Sequence, residues 1–184
     1  MEWIIINKSD FSPIEVINTH TGRSRVYFNP IEFEEDNVAK IKCLYKDFDY
    51  NYNTFLFKHA LIQLQEEYDK SDEVNCFLFN GQKAWLDKET RVGLVNSCDV
   101  RERKGYNDYS VYFNGKEVTL PITLIRNILD DVEEYAMECY GVTERHLAEI
   151  NALSSRVAIL NYNITADYPQ RLEFNYNSNN SEEA

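Results

Sequence analysis

Along the first half of the chain the apolar positions come in short runs. Trp3, Ile4, Ile5 and Ile6 form one unbroken run, Ile14, Val16 and Ile17 mark a second stretch at 14–18, and Arg25-Val26-Tyr27-Phe28 starts a third that Pro30 interrupts. Turn-forming residues separate them, Ser-Asp-Phe-Ser-Pro at 9–13 and His20-Thr21-Gly22, so three strands are predicted. Residues 31–48 admit two readings: Val38, Ile41, Leu44 and Tyr45 keep helical spacing, whereas 42–45 reads equally as a strand. The Asp, Asn and Tyr residues of 47–53 predict a loop. From 55 to 68 the period lengthens, with Phe57, Leu61, Leu64 and Tyr68 recurring three or four positions apart on one face of a helix that Asn53 or Thr54 caps.

The second half is punctuated more sharply. Residues 74–79 read as a strand, Asn80-Gly81 supplies the positive φ of a tight hairpin turn, and 83–86 returns. Asp87 is a good N-cap for a helix running to Lys104 and ending at Gly105, with Gly93 as a weak point inside it. A second hairpin follows, 109–113 and 116–120 joined by Asn114-Gly115. Pro121 then suits the start of a helix expected to run to Tyr140 and stop at Gly141. Ile122, Ile125, Leu129, Val132, Ala136 and Cys139 alternate three and four apart, a seam that packs on the chain's own sheet or joins a second copy. Asp130, Asp131, Glu133, Glu134 and Glu138 face away from it. Thr143 is expected to cap a helix carrying Leu147, Ile150 and Leu153, Ser154 or Ser155 a short one ending at Leu160, and 171–174 an edge strand after Tyr168-Pro169. The expected fold class is α+β: a small antiparallel sheet with two Asn-Gly hairpins and a helical C-terminal region. The expected division is an N-terminal docking region at 1–75, an α+β domain at 76–176 and an acidic polar tail at 177–184.

Composition narrows the chemistry. The 184 residues suffice for one ordinary domain, or a compact domain with an appendage, and 43% hydrophobic residues can build a core without metal or disulfide. With 19 basic against 31 acidic residues the net charge is −12, so the field repels phosphate backbones and anionic lipid. Neither nucleic acid nor membrane is an expected partner. Cys43, Cys76, Cys98 and Cys139 lie far apart with no C-x-x-C pair, which predicts reduced, buried thiols and no zinc site. The run Trp3 to Ile6 is too short, and too poor in basic flanks, for a signal peptide or anchor, pointing to synthesis in a cytoplasm.

No phosphate-binding loop, nucleophile elbow or zinc-helix motif occurs, and His20, His59 and His146 fall in separate segments that read as structural histidines. Asp47-x-Asp49 reads as a loop capping its own backbone, and Arg101, Arg103 and Lys104 as the basic end of a helix. No catalytic residue, cofactor or metal is expected, and the chain is not expected to be an enzyme. Aromatic residues at 14% favour a protein that assembles with others.

Several segments of the second half carry a resemblance. In order they are Trp85-Leu86-Asp87-Lys88, Thr90-Arg91-Val92-Gly93-Leu94, Thr119-Leu120-Pro121, Glu134-Tyr135-Ala136, Cys139-Tyr140-Gly141-Val142-Thr143, His146, 150–153 and Tyr168-Pro169-Gln170-Arg171-Leu172. The string E-x-Y-A-x-x-C-Y-x-V-T-x-x-H is the most specific of them. Together they resemble a domain of unknown function found in tailed bacteriophages and prophages, often beside fibre and tail genes, including crAss-like gut phages. The resemblance covers about 80–174. The chain departs from the pattern at Asn161-Tyr162-Asn163, where an acidic Tyr-Asp-Tyr is commoner, and at Ala166-Asp167, which replaces a commoner glycine. The resemblance supplies no catalytic residues. It implies a non-enzymatic structural component of a phage virion, a short head or tail fibre or its attachment protein; the alternative is a tail-fibre assembly chaperone that binds transiently. Partners would be other virion proteins of capsid, collar or tail and further copies in a dimer or trimer, and the location the virion, after synthesis in the host bacterial cytoplasm. The expected interface residues are Trp3, Ile4, Ile5 and Ile6, docking on the particle by strand addition, and Ile122, Ile125, Leu129 and Val132 of the helical seam.

Overall fold

The structure is a computed structural model that describes residues 2–18, 22–49, 53–113 and 115–176. His20, Thr21, Asn114 and the 177–184 tail, each part of an expected turn or tail, lie outside them. The fold is α+β. Its contacts divide the chain into two units, Met1–Ser71 with Val142–Asp167, and Asp72–Gly141 with Tyr168–Ala184. The sequence division at 75 made no provision for residues 142–167 returning to the N-terminal unit. The reason lies in the core: Ile150, Ile159, Leu160 and Ile164 are buried among Val26, Phe28, Leu44, Phe57 and Leu61, not among the residues preceding them.

In the first unit, the doubtful stretch 31–48 is strand. Asp36 and Asn37 take φ of 53° and 61°, the two consecutive left-handed residues that a tight hairpin turn needs, and Asx side chains tolerate that backbone. They join β3 (Arg23–Glu35) to β4 (Val38–Phe48). Pro30 does not end β3, because a bulge between Phe28 and Ile31 absorbs it, with Asn29 at φ 51°. Strands β1 (Trp3–Asn7) and β2 (Ile14–Asn18) flank the hairpin, giving an antiparallel sheet in the order β1-β4-β3-β2. One face carries Val26, Phe28 and Leu44 against helix α1 (Thr54–Asp69) and the short α4 (Arg156–Leu160). Phe57 of α1 meets Phe28 and Phe48 edge-on, at 6.2 and 5.5 Å between ring centres. The expected caps form: Asn53 accepts from the Leu56 amide at 3.0 Å, and Ser155 from the Ala158 amide at 3.3 Å.

The second unit holds two hairpins in separate sheets. Asn80 and Gly81, both with positive φ, turn β5 (Phe77–Phe79) into β6 (Gln82–Ala84), and β9 (Glu173–Phe174) joins β5 in parallel. The second pair is β7 (Asp108–Phe113) with β8 (Lys116–Pro121). Helix α2 (Lys88–Arg103) lies between them in sequence, its start fixed by Asp87 accepting from the Thr90 amide at 2.8 Å. That bond holds the Asp87 carboxyl below its ordinary range. Phe113 ties the hairpins together, stacked on Phe79 at 4.5 Å and edge-on to Phe77 at 5.9 Å.

Helix α3 is longer than the sequence predicts. It runs Ile122–Ala152 through Gly141, where a stop was expected. A helical stop glycine adopts positive φ, and Gly141 does not. Beyond it Val142, Thr143, His146 and Ile150 continue the three-and-four spacing and are all buried. Burying each large apolar side chain contributes roughly 1.5–3 kcal/mol, against a glycine cost in a helix of about 1 kcal/mol. Thr143 starts no helix; its hydroxyl donates to the Asp69 carboxylate at 2.7 Å.

Candidate assembly surfaces

Helix periodicity aims Ile122, Ile125, Leu129 and Val132 at one side of α3, and that side is the interior. All four are no more than 3% exposed, within a core shared with Phe77, Leu86, Cys98, Val111 and Leu120. The expected interface seam is therefore corrected to a packing seam, since its own hairpins cover it. Arg91 closes one margin of this unit, stacked over Trp85 and donating to the Leu86 carbonyl and the Glu133 carboxylate at 2.6 Å each. Tyr135 donates to the Val74 carbonyl at 2.9 Å.

The N-terminal run behaves differently. Trp3, Ile4, Ile5 and Ile6 form β1, which pairs with β4 from Trp3 opposite Leu44 to Asn7 opposite Lys40 without a break in register. The strand thus completes its own sheet and lies at its margin, with its far side unpaired among the described residues. Alternation sends Trp3 to the helical face, where Lys42 lies 4.7 Å above its ring. Ile4 and Ile6 turn to the other face, beside Tyr27, Ile41 and Cys43. Ile5 is 56% exposed. The opposite margin, β2, is broken by a register shift between Val16 and Asn18, a device that discourages further pairing. Strand β1 has no such break, and no charged residue among Trp3 to Ile6.

On the face of Ile4 and Ile6, Tyr27, Ile41 and Cys43 are no more than 5% exposed. Phe11 packs on Tyr27 at 5.8 Å, and beside it opens a cavity of about 330 Å³ lined by Ile4, Ile6, Asp10, Ser12, Glu15 and Tyr27. Within it Tyr27 donates to Glu15 at 2.6 Å, and burial together with that bond pushes the phenol up to about 12. Burial alone pushes the neighbouring Cys43 thiol up to about 11, so it stays protonated. These groups offer one fixed acceptor and an apolar floor.

The remaining candidates resolve into structural roles. All four cysteines are free and buried. Among the described residues no three or more His, Cys, Asp or Glu side chains gather as metal ligands, and no helix is long and apolar enough to cross a membrane. Asp47 meets cations from the protein itself, taking both Nε and Nη2 of Arg25 at 2.8 and 3.1 Å, while Asp49 lies 3.7 Å from Arg23. Arg101 lies over Tyr106 at 4.1 Å and donates to the Asp108 carbonyl, joining the end of α2 to β7. His59 is exposed on α1. Compared with protein-family models, curated proteins and solved structures, the chain matches none.

Proposed function

We propose that this chain is a non-enzymatic structural component of a tailed-phage virion, a short head or tail fibre or the protein attaching one, and that it works by assembly with other virion proteins or further copies of itself. The phage setting comes from the resemblance across 80–174. The observation that carries the assembly reading is β1: an uncharged, unbulged margin strand with Ile5 exposed, beside a cavity of about 330 Å³ lined in part by Ile4 and Ile6. An added strand draws affinity from main-chain hydrogen bonds and selectivity from pockets beside them, and this arrangement supports that mode. The sequence reading had β1 itself insert into a partner; β1 already belongs to its own sheet, so the partner strand adds to β1.

Mass spectrometry of purified particles from a phage encoding the chain tests the setting. The protein is expected at fixed stoichiometry in washed virions. Absence from particles, combined with loss of soluble fibre when the gene is deleted, would instead identify a fibre-assembly chaperone.

A further inference from the structure

From Glu2 to Lys8 the chain reads Glu-Trp-Ile-Ile-Ile-Asn-Lys, with Ile5 at the centre, an isoleucine on either side of it and opposite charges one residue beyond β1 at each end. The pairing with β4 fixes which way these residues face. Ile4 and Ile6 lie on the face of Tyr27, Ile41, Cys43 and Tyr45. Glu2 reaches that face too, accepting from the Tyr45 hydroxyl at 3.1 Å. So does Lys8, 2.6 Å from the carboxylate of Glu32, which stands opposite Ile41. The Lys8 and Glu32 side chains are 50% and 62% exposed and Glu2 is exposed, so these charges stay in water and can meet further partners. The outer edge of β1 is unpaired among the described residues.

We infer that this edge takes the β1 of a second copy, antiparallel, about a two-fold axis through Ile5. The inference rests on the proposed addition of a strand to β1, and it names that strand and its register. Opposed residues of an antiparallel pair point to the same face and turn their backbone groups either both towards each other or both away. A residue therefore opposes only one of its own parity, so the axis passes through a residue and not between two. An axis on Ile4 sets Glu2 against Ile6, and one on Ile6 sets Lys8 against Ile4. The axis on Ile5 sets Glu2 of each copy opposite Lys8 of the other, Ile4 opposite Ile6, and Ile5 opposite itself. A parallel pair in register would bring Glu2 to Glu2 and Lys8 to Lys8, and like charges directly opposite destabilise. The two-fold pair closes on itself, as isologous contacts do. It joins two four-stranded sheets into one and lays Ile4 and Ile6 of both copies in a single apolar strip between two ion pairs.

Charge exchange and cross-linking of the full-length protein test the register. Glu2→Lys alone and Lys8→Glu alone each set like charges opposite one another at both ends of the pair, and each should dimerise about tenfold more weakly than wild type in sedimentation equilibrium. Mixed in equal amounts, the two variants should associate as strongly as wild type, because the lysines of one then meet the glutamates of the other. A loss caused by damage within one chain would not be restored by mixing. Ile5→Cys should form a disulfide with its own copy under mild oxidation. Residues on the axis lie about 4.5 or 5.5 Å apart between Cα atoms, within the roughly 4.4–6.8 Å that a disulfide spans, and the four native thiols are buried. Asn7→Cys, also exposed, should stay uncross-linked because Asn7 opposes Trp3. Single variants that associate like wild type, a mixture that does not recover, or Asn7→Cys cross-linking as readily as Ile5→Cys would overturn the two-fold pair. A chain that stays monomeric while Ile5→Glu loses particle binding would overturn it too, yet leave addition of another virion protein's strand standing. A monomer whose Ile5→Glu variant joins particles normally would overturn both.

Discussion

Asp47 shows how one pairing makes stability depend on pH. It sits on β4 opposite Arg25 of β3 and accepts two hydrogen bonds from that guanidinium, with Arg23 at 3.5 Å. The Arg25 bonds hold its carboxyl below the ordinary range, and partial burial opposes them without prevailing. A depressed carboxyl stabilises the fold above its unfolded value, about 3.9, and that contribution disappears as pH falls through the lower folded value. Asp47→Asn should therefore be less stable than wild type at pH 7, with the gap closing below about pH 4. Glu67, depressed in the same way by Lys46, is unchanged by the substitution and cancels in the difference. Urea midpoints for both proteins at pH 7 and pH 2.5 check this; a gap that persists in acid would mean that Asp47 acts through packing and not charge. Asp167 carries another local feature. It adopts φ 61°, a left-handed backbone that glycine takes most cheaply and that the short Asp side chain tolerates.

At the scale of elements, what the sequence discloses depends on whether a signal is local. Asn80-Gly81, Asp87 and Asn53 act on residues within four positions, and each does in the structure what its chemistry predicts. Asp36-Asn37 is equally local, but the apolar residues around it fit two periods, and Pro30 argued against a strand until its bulge is seen. Gly141 fails for a different reason. Whether a glycine ends a helix depends on what lies beyond it, and the gain is the burial of Val142, His146 and Ile150, the last of them among Val26, Phe28 and Leu44 far away in the chain. The seam Ile122, Ile125, Leu129 and Val132 was legible as a stripe, but not what covers it, since periodicity gives a face and no partner. The glycines yield an element-level prediction. Gly141 and Gly93 are helical, and a Cβ built on either meets nothing within 4 Å. Substituting alanine at either should raise stability by roughly 0.5–1 kcal/mol by removing unfolded-state freedom. Gly81→Ala should lose stability, because its φ of 74° strains any side chain despite equally open surroundings. Thermal melts of the three variants would show two rises and one fall, and a fall for Gly141→Ala would mean that its helix bends there in solution.

Over the whole molecule, the two apolar stripes expected at an interface differ in burial: the α3 seam is interior, whereas β1 exposes Ile5 at a sheet margin, so the two can be tested apart. Leu129 is 3% exposed, and truncating it to alanine should cost about 2–5 kcal/mol as a cavity opens between α3 and its hairpins. Ile5 is 56% exposed on the open margin of the sheet. Ile5→Glu places a charge on that margin opposite Lys42, its cross-strand partner, so strand pairing within the sheet keeps a favourable neighbour. Its effect on unfolding should stay within about 0.5 kcal/mol. An added strand would bring its own backbone and side chains against that carboxylate, and charges on margin strands suppress such pairing. The expected pattern is thus a variant that melts like wild type yet no longer self-associates or joins purified particles, read by light scattering and by particle pull-down. Leu129→Ala should do the reverse, melting early while any remaining folded protein still assembles. If Ile5→Glu assembles normally, β1 is only the rim of a sheet and the proposed strand addition is wrong.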